Sequence, residues 1–178
     1  MLLRALAAAD AVRSDARGDS IEVTETLKNV FETIAMAKVS TSAIDARSLG
    51  IIESIDSISM NRSRLVSDAK AQALRLARSG YTAPVFRTDI PAPGETIQAT
   101  LKLGVYLMRE AAYISEHDAK VAKHVARILT GGDITPGTLL SEQSLLDLER
   151  EAFLSLCGEP KTVERIAFTL KTGKPLRN

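Results

Sequence analysis

The sequence predicts an all-α chain of about seven helices with no substantial sheet. Apolar residues recur at spacings of three and four along most of its 178 residues, and period-two alternation is nearly absent. Glycines fall almost always just past the end of a periodic stretch, where a left-handed residue stops a helix. Serine, aspartate or asparagine stands before several of these stretches, in the place of a cap.

Taken in order, the first helix runs from Leu2 to about Ala16, with Gly18 as its stop. A second spans Ser20 to about Ala37. Asp19 with Glu22 makes its capping box, and Val23, Leu27, Val30, Phe31 and Ile34 make its inner stripe. Ser42 to Leu49 is short, capped by Ser42 with Asp45 and ended by Gly50. Ile51 to Ile58 reads as a brief apolar, extended, strand-like run. Asn61 then caps a helix to about Ser79, stopped by Gly80. Its stripe is Leu65, Ala69, Ala73 and Leu76, and Arg64 and Asp68 can pair across one turn.

Thr82 to Gly94 holds three prolines and no periodicity, and is expected to be an ordered loop. It divides a helical region at 1–81 from a C-terminal helical subdomain at 95–178. The next helix, from about Glu95 to Tyr113, carries Ile97, Leu101, Val105, Met108 and Ala112 on one side. Gly104 inside it either admits a close neighbour or is a tolerated cost of about 1 kcal/mol. Ser115 with Asp118 caps a helix to Thr130, closed by Gly131 and Gly132. Ser141 to Cys157 ends at Gly158. The last helix opens at Pro160, has the stripe Val163, Ile166, Ala167 and Leu170, and ends at Gly173 and Pro175.

Composition excludes several classes of function. The net charge is +1 and there is no tryptophan, so neither a basic field nor a stacking platform for nucleic acid is present. No stretch reaches the roughly 20 apolar residues of a membrane span. Cys157 is the single cysteine, which rules out an intrachain disulfide and fits a cytoplasmic location.

Catalytic chemistry finds little footing. His117 and His124 are seven apart on one helix face, about 10 Å along the axis and too far to share a metal; both read as surface or interface residues. Cys157, on the side of Leu146 and Phe153, reads as a buried small hydrophobe. Asp147, Glu149 and Glu151, interleaved with Arg150, read as a solvated or salt-bridged face. Gly131-Gly132-Asp133 follows a helix, not a strand, and so reads as a C-cap and not a phosphate loop. Lys161, Arg165, Lys171, Lys174 and Arg177 bias the C-terminus toward positive charge. That bias suits either phosphate attraction or a solvated tail.

Two stretches carry a family resemblance. Ser42-Ala43-Ile44-Asp45-Ala46, followed by Leu49-Gly50-Ile51-Ile52, resembles the crotonase (enoyl-CoA hydratase/isomerase) segment in which a Ser-Ala-x-x-Ala helix leads to Leu-Gly and an apolar pair. Leu148 to Leu156, Lys161 to Ile166 and Leu170 to Asn178 resemble the crotonase C-terminus. Together with Leu107-Met108-Arg109-Glu110 and Ile114-Ser115-Glu116-His117-Asp118, this ending is similar to a narrower group. That group is the long bacterial fusions of 3-hydroxyacyl-CoA dehydrogenase to a C-terminal crotonase domain, which act in fatty-acid β-oxidation. The resemblance covers most of the chain from about Ala5.

The resemblance implies a parent enzyme that acts on acyl-CoA and uses NAD in its dehydrogenase part. Crotonases build their catalytic centre from an N-terminal ββα spiral. Two backbone N–H groups there polarise the thioester carbonyl, and glutamates move the proton. Those strands, glycine-rich turns and glutamates have no counterpart here, and the sequence is expected to begin just after them. The resemblance therefore implies no catalytic residue and no cofactor of this chain's own. It implies packing against the rest of the parent, homo-oligomer contacts, and Phe168, Lys171 and Lys174 as candidates for touching CoA. The other reading is a stand-alone helical interaction module, and the sequence upstream of Met1 discriminates the two. Helices made to pack on a missing layer leave stripes uncovered, so self-association is also expected.

Overall fold

A computed structural model describes residues 20–178. The expected opening helix, the Gly18 stop, the Asp19–Glu22 capping box and the Val23 side chain lie outside the described residues. Among these residues the fold is mostly helical, as expected. Seven helices follow one another: α1 (Ser20–Ala35), α2 (Ala43–Ser48), α3 (Leu65–Arg78), α4 (Gly94–Glu110), α5 (Glu116–Leu129), α6 (Glu142–Cys157) and α7 (Pro160–Thr172). A two-stranded antiparallel ribbon, β1 (Ile90–Pro91) with β2 (Leu139–Leu140), is the small exception. No described helix is long and apolar enough to cross a membrane.

The described residues form two compact units, one of 20–38 with Phe86–Asn178 and one of Val39–Val85. In the larger unit, α5 is the central rod and packs against α4, α1 and α6. Its inner face is Ala119, Ala122, Val125, Ala126 and Leu129, all buried. Three alanines on that face let neighbouring helices approach closely. Leu27, Val30 and Phe31 of α1, Leu101 and Val105 of α4, and Leu145 of α6 complete the core. The stripes expected for α1 and α4 are the buried faces as far as Met108, with Ile34, Ile97 and Met108 partly covered beside them; α4 stops at Glu110, short of the expected Tyr113, and Ala112 lies beyond it, exposed and at φ 56°.

The caps follow the sequence. Ser115 and Asp118 bond each other's backbone N–H groups reciprocally at the start of α5. Gly131 and Gly132 follow α5 at φ 86° and 96°, and Gly132 N–H returns to Arg127 O at 2.8 Å. Gly173 closes α7 at φ 68°. Gly158 ends α6 at φ −74°, in the right-handed region, so it stops the helix without a left-handed turn.

The second half of the Pro-rich loop is held by backbone hydrogen bonds. Ala92 N–H donates to Thr138 O at 2.8 Å, Gly94 N–H to Thr130 O at 3.0 Å, and Glu95 N–H to Ile134 O at 3.0 Å. Arg87 N–H donates to Glu142 Oε1 at 2.9 Å, and Glu142 N–H returns to Arg87 O at 2.9 Å. The segment 87–95 is thus laced to 130–142. Inside, Gln98 of α4 donates to Gly132 O at 3.2 Å and lies near buried Thr130, whose hydroxyl donates to Ala126 O at 2.9 Å.

In the smaller unit, Ser42 accepts from Asp45 N–H at 3.0 Å and begins α2. Asn61 accepts from Ser63 N–H at 2.9 Å, opening a 3₁₀ turn, Arg62–Arg64, that runs into α3. Arg64 and Asp68 pair at 3.6 Å, as expected. The expected strand-like run at Ile51–Ile58 is not extended; it is a string of turns. The Arg47 guanidinium explains the difference, since it donates to Glu53 O at 3.2 Å, Ser54 O at 3.3 Å and Asp56 O at 2.6 Å. Carbonyl oxygens that converge on one cation cannot also line up along a strand edge to accept from a partner's N–H groups.

Gly104 meets nothing within 4 Å of an added Cβ, so the close-neighbour reading fails and the propensity cost remains. Gly104→Ala is expected to stabilise the larger unit by about 0.5–1 kcal/mol, read as a rise in the urea midpoint at unchanged m. A fall in the midpoint would mean that the glycine serves a contact not seen here.

Candidate functional site

The polar side chains gather at one place in the larger unit, a seam between α5 and α7. Its origin lies in α7. This helix begins well, with Pro160 in its first turn, and its stripe at 163, 166, 167 and 170 has helical spacing. Yet α7 has no buried residue. Only Thr162 and Arg165 are half-covered, and both lie away from the stripe. The helix is docked by its polar side.

Three contacts make the dock. His117 Nε2 and Thr162 Oγ1 are 2.9 Å apart. Lys120 Nζ is paired with Glu159 at 2.5 Å. Arg165 Nη1 donates to Asp118 Oδ1 at 2.8 Å, and Arg177 Nη1 reaches the same oxygen at 3.2 Å. Arg165 Nε also donates to Asn178 Oδ1 at 2.7 Å, and Arg177 Nη2 to Met36 O at 3.2 Å. Asp118 is therefore shared: it caps α5 and anchors the last residues of the chain to α5. An open groove of about 590 Å³ lies beside it, lined by Met36, Arg109, Tyr113, Ser115, Asp118 and Arg177 among others.

Charge follows burial at the seam. For Asp118, burial works against ionisation, but the Arg165 guanidinium and the Ser115 amide and hydroxyl outweigh it and hold the carboxyl below 3.8. Burial, then Arg165 and Lys161, push His117 below its ordinary 6.5. Burial, then Arg127 and Lys120, do the same to His124. His117 is 4% exposed, so of the surface and interface readings the surface one fails: it is a buried, hydrogen-bonded contact under α7.

The sign of the pH effect follows. A histidine whose folded pKa is depressed stays neutral in the folded chain while the unfolded chain takes up protons. Its stability contribution is complete above 6.5 and declines as pH falls below it. Urea midpoints should therefore drop between pH 7.5 and 5.5, with each histidine contributing at most about 1.4 kcal/mol per pH unit. His117→Gln should flatten part of that slope. A midpoint that holds or rises over this interval would contradict the account.

The other candidates disperse. Phe168 and Lys171 lie three residues apart on the exposed part of α7. Lys174 follows the helix, its amide donating to Thr172 Oγ1 at 3.2 Å. Cys157 is half-covered, not buried, and Phe153 is 57% exposed; Leu145 and Ala152 form the inner side of α6. The acidic face of α6 is salt-bridged in part, as expected. Glu151 meets Arg127 of α5 at 3.1 Å, and Asp147 accepts from Gln143 at 3.0 Å. Among the described residues no three His, Cys, Asp or Glu side chains converge as a metal set. What the seam can do chemically is clamp: two guanidiniums on one carboxylate hold elements together.

No family model matches the chain, and no solved structure matches it. A curated protein does: the chain is 49% identical over 148 residues to the "Probable 3-hydroxyacyl-CoA dehydrogenase" of Bacillus subtilis (strain 168). The aligned part is 83% of this chain and 19% of that protein. The chain thus spans about a fifth of the length of the curated relative it matches, and is similar to a small part of a 3-hydroxyacyl-CoA dehydrogenase.

Proposed function

We propose that the chain is a non-catalytic C-terminal segment of a fatty-acid β-oxidation enzyme, a 3-hydroxyacyl-CoA dehydrogenase that also carries an enoyl-CoA hydratase/isomerase domain. In that enzyme it supplies packing surface, oligomer contacts and part of the rim at the CoA side. The similarity to a fifth of a dehydrogenase carries the reading.

The smaller unit supports it. Ala46 is its buried apolar residue, while Val39, Ile44, Ile55, Met60, Leu65 and Val66 are all exposed. Its expected stripe, Leu65, Ala69, Ala73 and Leu76, lines an open groove of about 710 Å³ with Ile52, Ile55 and Ile58. So much uncovered apolar surface fits a piece that rests on more protein.

A dehydrogenase implies NAD, and the described residues do not fit it. A glycine between a strand and a helix, Gly94 after β1, invites a pyrophosphate in dinucleotide folds because a backbone can approach there. Here that approach is taken by Pro136, whose backbone N would lie 2.5 Å from an added Cβ. NAD in the parent belongs to another part.

Phe168, Lys171 and Lys174 are the residues we assign to the CoA rim, the two ammonium groups facing phosphate and the ring supplying apolar contact. Enoyl-CoA hydration decides the matter. The isolated chain is expected to show no rate above background, and the full-length protein containing it to hydrate the substrate. Lys171→Glu with Lys174→Glu in the full-length enzyme should raise KM and leave kcat in place. Near-enzymatic hydration by these 178 residues alone would refute the proposal.

A further inference from the structure

Helix α3 of the smaller unit is basic on the side turned away from its apolar groove. From Arg62 to Arg78 the chain carries five cations, Arg62, Arg64, Lys70, Arg75 and Arg78, against one acid, Asp68. No residue of α3 is buried. At about 100° per residue, Arg64, Ala71, Arg75 and Arg78 fall within about 60° of one another, with Lys70 and Leu74 flanking them. Leu65, Ala69, Ala73 and Leu76 occupy the opposite side, and the acids Asp56 and Asp68 line the groove with them. The basic side has a shallow depression of its own, about 490 Å³, lined by Ala71, Leu74, Arg75, Arg78 and Ser79, with no acid among them. Lys70 and Arg78 have no ion-pair partner among the described residues. Arg75 Nε donates to the neutral Gln72 Oε1 at 3.0 Å, and the Arg64 side chain remains 71% exposed beside Asp68.

We infer that this side of α3 is a contact for an anionic membrane surface, with the phosphates of lipid headgroups as its ligand. Charge complementarity selects the partner. The row from Arg64 to Arg78 is straight and about 20 Å long. A helix lying flat on a bilayer brings the whole row within a Debye length of the phosphates, about 8–10 Å. Each basic residue so placed adds about fivefold to the affinity for anionic lipid. Leu74, 45% exposed beside the guanidiniums, can settle among the headgroups as the apolar residue of such a helix does. The face carries no aromatic ring on which a base could stack, so lipid is favoured over nucleic acid. The whole chain has a net charge of only +1. The contact therefore depends on the local row and is strongly weakened by salt.

This inference goes beyond the function proposed above, which uses the apolar side of α3 and the C-terminal lysines, so either can fail alone. Co-sedimentation of the 178-residue chain with vesicles tests it. Vesicles of equal parts phosphatidylglycerol and phosphatidylcholine are expected to carry the chain down at low ionic strength, and molar salt to release it. Pure phosphatidylcholine should leave it in solution. Arg75→Glu with Arg78→Glu should weaken binding about tenfold or more at unchanged helical circular dichroism. Lys123→Glu with Lys161→Glu makes the same change of net charge in the larger unit and should leave binding as it was. If the α3 variant loses helix, Arg75→Gln with Arg78→Gln takes its place, and binding that survives it with the helix intact overturns the inference. So does a chain that ignores anionic vesicles, that binds neutral ones equally, or that loses binding equally in both glutamate variants. Tighter binding to single-stranded or duplex DNA than to the anionic vesicles would assign the row to nucleic acid and overturn it too.

Discussion

Asp118→Ala is expected to cost roughly 2–4 kcal/mol in the larger unit, far beyond an ordinary surface substitution. Two losses combine. The first is the cap: Asp118 accepts from Ser115 N–H at 3.2 Å and Ser115 Oγ at 3.0 Å, and a lost cap costs about 1 kcal/mol. The second is the clamp. The Asp118 side chain is 12% exposed and its partner Arg165 19%, so removal leaves a partly buried guanidinium without its counter-charge, which costs more than the pair itself gains. Asp118→Asn should fall between, keeping a cap acceptor and losing the charge. The acid limb has the same origin. The Asp118 contribution is complete above 3.8 and is lost as pH falls through its lower folded value. Urea titration of wild type, Asp118→Asn and Asp118→Ala measures all three. A loss under about 1 kcal/mol in the alanine variant would show that the seam is ornamental.

This seam marks the limit of what the sequence discloses. Local chemistry was readable: Ser42 with Asp45, Asn61, Ser115 with Asp118, Pro160 and Gly173 all sit at helix ends where their short-range bonding places them. The stripes of α1 and of α4 up to Met108 were readable because their apolar spacing coincides with the buried face; Ala112 kept the spacing but falls past the helix end. The α7 stripe has the same spacing and points outward. Periodicity says that a face is apolar, not which side a helix docks by; that was decided by Arg165, 47 residues from Asp118, and Thr162, 45 residues from His117. Burial of His117 was hidden for the same reason. The β1–β2 ribbon was hidden because two residues per strand carry no period, and Ile90 meets Leu140 only through the fold. Ile51–Ile58 misled through composition: its isoleucines suit a strand, but Arg47 organises the backbone into turns. The proposed CoA contacts at Phe168, Lys171 and Lys174 rest on resemblance, since no local bonding rule marks them.

Gly94→Ala is expected to be the most damaging small substitution in the larger unit, at about 3 kcal/mol or more. Gly94 has φ +75°, and an added Cβ would lie 2.5 Å from Pro136 N, 2.7 Å from its Cα and 2.8 Å from its Cδ. The obstacle is mostly backbone, which cannot step aside as a side-chain end can. Moving it would stretch the bonds from Gly94 to Thr130 O and from Glu95 to Ile134 O, each 3.0 Å, and so unlace β1 and the start of α4 from the end of α5. Gly137 isolates the conformational part. Its φ is +82° and nothing lies within 4 Å of an added Cβ, so Gly137→Ala should cost only the left-handed backbone, about 1–2 kcal/mol. The gap between the two variants in urea midpoint is then the steric term alone. Equal losses would mean that Pro136 yields freely, and that the lacing of 87–95 to 130–142 is looser than its hydrogen bonds require.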